Sequence, residues 1–118
     1  MIRVYIAGPY SADNVLDVLK NIGKGQQAAA RVFSLGFAPF TPWHDRTFIM
    51  DNPDGDFTVE QFYLYSLVWL KVSDCMFVLP GFEESKGTLK EIEFAEQQHI
   101  PVFYSESELF DWTMEVNK

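Results

Sequence analysis

Short apolar runs, "RVYIA", "FAPF", "CMFVL" and "PVFY", are spaced along the chain with helix-forming stretches between them. An apolar run of this length without polar alternation is what a strand covered on both faces requires. Strands that alternate with helices imply a parallel sheet joined by right-handed crossovers. The expected class is therefore α/β, a doubly wound, mainly parallel sheet of four to five strands flanked by helices, in a Rossmann- or flavodoxin-like three-layer arrangement. At 118 residues the chain is long enough for one such domain, 1–118, and too short for two. Sheets of this kind bind ligands beyond the carboxyl ends of their strands, where the strand order reverses. That rule selects the loops Gly8 to Asn14, Thr41 onward and Pro80 to Gly87.

The connecting stretches read less uniformly. Gly23 and Gly25 interrupt the one after the first strand, which predicts a single turn near Val15 to Lys20 and a firmer helix from Gln26 to Leu35, stopped by Gly36. Thr41 to Phe57, with Pro42, Pro53 and Gly55, reads as a long loop. Thr58 and Gln61 form a capping-box pattern before "VEQFYLYSLVWLKVS". Phe62, Tyr63, Tyr65, Trp69 and Leu70 cover most of that helix, which predicts burial against a second subunit and a homodimer or higher homo-oligomer. Lys86 to His99 is the next helix, and Ser105 or Ser107 caps a last one, "ESELFDWTMEV".

A net charge of −8 argues against a nucleic-acid polymer as partner, because phosphate contacts need clustered Lys and Arg. No apolar run approaches the ~20 residues of a membrane span, and "MIRVYIAGPY" enters a strand without a signal-peptide pattern. The single cysteine, Cys75, lies in an apolar run and reads as buried; a reducing, cytoplasmic setting is expected. His44 and His99 lack the neighbours of a zinc site, and neither a metal nor a cofactor is expected.

The stretch "SKGTLKEIEFA", Ser85 to Ala95, carries the candidate chemistry. At 100° per residue, Lys86, Lys90, Glu93 and Gln97 share the solvated face, while Thr88, Ile92 and Ala95 face the core. Glu91 falls nearer the second group, and its row neighbours Gly87 and Ala95 are too small to cover it. It is either paired with a cation at a packing boundary or open to a ligand. The helix start offers free N–H groups, the Ser85 hydroxyl, the Lys86 ammonium and the close backbone approach that Gly87 permits. The same residues also serve ordinary helix capping. An anion site about one turn from a carboxylate matches a nucleotide sugar, with phosphate at one end and anomeric carbon at the other.

"VYIAGPYS", "SLVWLKVSD" and "LPGFEESKGTLKEIEFA" together resemble the nucleoside 2-deoxyribosyltransferase-like proteins, and most of all their small phage and bacterial members of unassigned activity. The likeness spans nearly the whole chain, apart from Thr41 to Phe57 and the last helix. Its most specific element is a Ser or Asp followed six residues later by Glu, matched by Ser85 and Glu91. The resemblance implies cleavage of a base–sugar bond with Glu91 attacking the anomeric carbon and holding the sugar covalently. Transferases of that family tend to have Asp at the position of Ser85, and monophosphate hydrolases Ser. A hydroxyl beside Lys86 attracts a phosphate that a carboxylate would repel.

The resemblance therefore favours an N-glycosidase acting on a (deoxy)nucleoside 5′-monophosphate. A deoxyribosyltransferase and a non-catalytic nucleotide-binding module on the same fold stay open. By the same likeness Gly8, Pro9, Tyr10 and Ser11 line the sugar and base pocket, and Tyr10 orients Glu91 or caps the sheet. Trp43, His44 and Asp45 become base contacts through stacking and edge hydrogen bonds. Ser66 departs from the family, whose active members carry an Asp there that assists protonation or sugar placement. Glycosidic cleavage uses a second carboxylate for the leaving group, and Asp45, Asp51 or Asp54 are the candidates to supply it. Asp74 reads as structural.

Overall fold

A computed structural model of the chain describes residues 1–116. The apolar runs become β1 (Arg3–Ala7), β2 (Ala38–Phe40), β3 (Cys75–Val78) and β4 (Val102–Phe103), in one parallel sheet of order β2-β1-β3-β4. The helices are α1 (Val15–Ser34), α2 (Arg46–Asp51), α3 (Val59–Lys71), α4 (Lys86–Gln97) and α5 (Glu106–Val116). The doubly wound α/β class is as expected. The sheet has four strands among the described residues.

Alternation along β1 divides the core. Val4 and Ile6 point to one face, where they pack with Ile22, Ala28 and Val32 of α1 and Leu109 of α5. Tyr5 and Ala7 point to the other, packing with Leu70 of α3 and Ile92 and Ala95 of α4. Because the chain leaves β1 toward β2 but later steps the opposite way from β3 to β4, the helices are shared between the faces. Asp74 anchors the start of β3: it accepts the Arg3 backbone N–H at 2.8 Å and the Arg3 guanidinium at 3.2 Å, which holds its carboxyl below the usual range. Its structural role is thus visible in the contacts. Cys75 is fully buried, and burial pushes its thiol up to about 12.

Two connections differ from the sequence reading. α1 is one unbroken helix from Val15, capped by the Asn14 side chain, and not a turn followed by a second helix. Gly25 is the reason: its face of α1 lies so close to Trp43 that an added Cβ would sit 2.7 Å from the indole ring. The glycine therefore serves close helix packing instead of interrupting the helix. Gly36, at φ +96°, does stop it. The segment Thr41 to Phe57 is not all loop. Pro42–Asp45 form a turn of 3₁₀ helix with proline at its start, and α2 follows.

Thr58 and Gln61 make the capping box that opens α3. The helix buries Leu70 fully, and Phe62, Tyr63 and Tyr65 are half-buried within this chain. Its most exposed apolar residues are instead Val59, Leu64 and Val68, with Trp69 less so. Within this chain Tyr65 packs on Phe40, His44 and Phe48, and Phe62 and Tyr63 line a cleft. The last helix is capped by Ser105, which accepts the Glu108 N–H at 3.1 Å. No helix is long and apolar enough to cross a membrane among the described residues.

Candidate functional site

The site lies where the loops after β1, β2 and β3 converge. The loop after β1 is fixed from two sides. The Trp43 indole N–H donates to the Pro9 carbonyl at 3.1 Å, and the Asn21 amide donates to the Tyr10 carbonyl at 3.2 Å. These bonds tie the backbone of Gly8 to Ser11 to α1 and to the turn after β2. The walls they set are shared by two lobes of one cleft.

The first lobe is polar, with a volume of about 1100 Å³. Its walls are Gly8 to Asp13, the face of α1 that carries Lys20, Lys24, Gln27 and Arg31, and the corner Glu84 to Thr88. The spacing of those α1 residues (four, three, four) is one helical row, so their side chains line one wall. The second lobe, of about 330 Å³, is mainly apolar. Pro42, Trp43, Ile49, Val59, Phe62 and Tyr63 line it, with Asp45, Arg46 and Ser66 as its polar groups. Gly8, Tyr10, Ser11, Gly87 and Glu91 line both lobes. Glu91 therefore stands at the junction of a chamber lined by both cations (Lys20, Lys24, Arg31, Lys86) and carboxylates (Asp13, Asp17, Glu84) and an aromatic one.

Glu91 makes no ion pair among the described residues. Its carboxylate accepts a hydrogen bond from the Tyr5 hydroxyl. Burial raises its pKa from 4.5 to about 7; the Tyr5 bond pulls it down, and the charge of Asp45 pushes it up. Tyr5 is fully buried, and burial together with Glu91 holds its hydroxyl well above the usual tyrosine range, so it remains a donor. Ser66, itself buried, sits beside that hydroxyl. The Ser85 hydroxyl caps α4, accepting the Thr88 N–H at 3.3 Å and the Thr88 hydroxyl at 2.8 Å. It lines the polar lobe with Lys86 and Gly87 at the same time. Capping and lobe lining coexist there.

Three sequence expectations change. Tyr5, not Tyr10, hydrogen-bonds Glu91; Tyr10 lines both lobes and has its backbone tied to α1. Trp43 is 1% exposed and belongs to the core, so its ring faces are taken by protein and it offers a wall, not a stacking surface. His44 lines neither lobe. Its Nδ1 lies 2.6 Å from the Thr41 carbonyl and its Nε2 3.1 Å from the Tyr65 hydroxyl, so both ring nitrogens are engaged. Asp45 does reach the cleft, whereas Asp51 and Asp54 do not line it. The α1 row was missed in the sequence, although the spacing Lys20, Lys24, Gln27, Arg31 was there to be read. No group of three or more His, Cys, Asp or Glu side chains could hold a metal ion among the described residues.

The sequence profile of a domain of unknown function, DUF7768, matches residues 2–105. The chain belongs to the DUF7768 family. No curated protein matches it in sequence. Among solved structures, the DUF7768 chain is similar to a 2-deoxyribosyltransferase from the psychrotolerant bacterium Bacillus psychrosaccharolyticus. The TM-score is 0.60 at 22% identity, over 85% of this chain and 69% of that one. At this identity the likeness is one of fold, an α/β three-layer arrangement.

The Tyr5 contact carries a prediction for the DUF7768 site. Tyr5→Phe removes a hydrogen bond that stabilises the Glu91 anion, so the ionisation of Glu91 shifts upward. Nuclear magnetic resonance of side-chain-labelled glutamate is expected to show Glu91 titrating higher in Tyr5→Phe than in the wild type. An unchanged or lower midpoint would remove Tyr5 from the site.

Proposed function

We propose that the chain cleaves the base–sugar bond of a 2-deoxynucleoside and transfers the sugar to a second base, with Glu91 as nucleophile. The observation that carries this reading is the position of Glu91, semi-buried, without an ion pair among the described residues, and common to both lobes. A base fits the aromatic lobe, where Phe62 and Tyr63 offer half-exposed apolar walls and Asp45, Arg46 and Ser66 offer edge contacts. The sugar then lies over Glu91, and its 5′ end faces the polar lobe. The ionised Glu91 oxygen forms a bond to C1′ as the C1′–N bond breaks and its electron pair leaves with the base. A nitrogen of the acceptor base reverses the step and frees the carboxylate. The fold shared with a 2-deoxyribosyltransferase supports transfer over hydrolysis.

A second reading, hydrolysis of a nucleoside 5′-monophosphate, is favoured by one observation. At the start of α4 the Ser85 hydroxyl, the free N–H groups and Lys86 offer a dianion local partners, in a lobe whose other charges, Lys20, Lys24 and Arg31 against Asp13, Asp17 and Glu84, offset one another. Incubation with 2′-deoxynucleosides and their 5′-monophosphates, with and without a second free base, distinguishes the two. Transfer predicts a new nucleoside only when the second base is added. Hydrolysis predicts free base and a phosphosugar without it. No base release or exchange from any of these substrates would overturn both.

A further inference from the structure

The cleft holds a second acid, one of the three loop aspartates that stood as candidates for the leaving-group carboxylate. Asp45 is 9% exposed and lines the aromatic lobe together with Glu91 and Ser66. It sits at the start of α2, yet its side chain makes no capping hydrogen bond there. It is in no ion pair among the described residues, because the neighbouring Arg46 guanidinium turns to the Trp43 carbonyl at 3.2 Å. A buried carboxyl whose own partners are the adjacent Arg46 backbone N–H and the nearby charges of His44 and Arg46, and that borders a cavity, keeps acceptor positions for a ligand. Ser66, on the same lobe, has no acidic proton to give at neutral pH.

Resting on the glycosidic reading above, we propose that Asp45 is the proton donor to the departing base. The cleft then has two carboxyls in separate roles: Glu91 below the sugar and Asp45 at the base. In the forward step the Asp45 proton moves to a ring nitrogen or exocyclic oxygen of the base, as the C1′–N electron pair leaves and the Glu91–C1′ bond forms. In the return step the acceptor base loses its proton to the Asp45 carboxylate as its nitrogen takes C1′ from Glu91. No other reactant is needed.

The charged and titratable groups facing Asp45 are Glu91 from α4, Tyr10 from the loop after β1, Tyr65 from α3 and Tyr5 from β1, with His44 and Arg46 beside it in the chain. Burial raises its pKa, while His44 and Arg46 pull it back. Burial holds the Glu91 carboxyl at about 7, with the Asp45 charge as a smaller contribution. A base in the aromatic lobe strips water from Asp45, and Tyr5 continues to donate to Glu91. The loss of water moves the Asp45 carboxyl further toward its protonated form, which the reaction needs.

The test compares leaving groups. N7-methyl-2′-deoxyguanosine carries a base that is already cationic and departs without a proton, whereas 2′-deoxyguanosine requires one. Asp45→Asn is expected to lower kcat on 2′-deoxyguanosine by roughly 10²- to 10³-fold, and kcat on the N7-methyl substrate by at least roughly tenfold less than that. Turnover of the methylated substrate also reports that the variant is folded. Equal loss on both substrates, or loss on neither, overturns the role of Asp45 while leaving Glu91 chemistry intact. If the wild type turns over neither substrate, the glycosidic reading itself fails, and this proposal with it.

Discussion

Glu91→Gln is expected to lower base exchange or release by at least roughly 10³-fold while making the folded protein more stable at alkaline pH. The first effect follows from chemistry, since an amide oxygen cannot form the glycosyl ester. The second follows from the environment. Glu91 titrates at about 7 in the fold and near 4.5 when unconstrained. Below pH 4.5 the group is protonated in both states, and folding is indifferent to it. Between 4.5 and 7 the unfolded chain releases its proton first, so stability falls as pH rises through that window. Above 7 the loss is complete, about 3 kcal/mol. The glutamine variant stays neutral and keeps the Tyr5 hydrogen bond. Urea denaturation at several pH values is expected to show the wild type losing stability from pH 4.5 to 7.5 relative to Glu91→Gln. Parallel curves would mean that Glu91 is well hydrated in the fold.

The largest structural effect is expected at Trp43. Trp43→Ala empties a fully enclosed site against Gly25 and removes the indole N–H from the Pro9 carbonyl. Truncating a buried tryptophan costs about 3–5 kcal/mol, so the thermal midpoint is expected to fall by at least roughly 10 °C. The same change releases the loop Gly8 to Ser11, which borders both lobes. Ligand affinity is therefore expected to fall even at temperatures where the variant remains folded. Differential scanning calorimetry with and without a 2′-deoxynucleoside measures both. A small change in midpoint would show that the indole is not the anchor of that loop.

The contrast between Trp43 and Glu91 shows which parts of the molecule can be read from the sequence. The strands announced themselves because a buried parallel sheet leaves no room for polar alternation, and "RVYIA" and "CMFVL" are too short for a helix and rich in β-branched and aromatic residues. Glu91 was legible because helical periodicity is local: its angle relative to Thr88, Ile92 and Ala95 is fixed by the chain itself. Trp43 sits in a short 3₁₀ turn with no period to place it, and its burial depends on Gly25, eighteen positions earlier on another element. Read by propensity alone, Gly25 breaks a helix; read with its neighbour, it admits one.

Tyr5 was hidden for a related reason. It is one of four consecutive buried residues in β1, and its hydroxyl finds Glu91 only once the sheet face that packs on α4 is known. Alternation along β1 puts Tyr5 on the face of Ala7, but which helix covers that face is decided by strand order.

The account rests on a bond between Glu91 and a sugar, and that bond has a mass. The wild type, mixed with 2′-deoxynucleosides and quenched in acid within the first turnovers, is to be digested and analysed by peptide mass spectrometry. A mass increase of one deoxyribosyl group on the peptide that contains Glu91, absent from Glu91→Gln, is the predicted result. Base release that proceeds with no adduct on Glu91, or with the adduct on another residue, would contradict it.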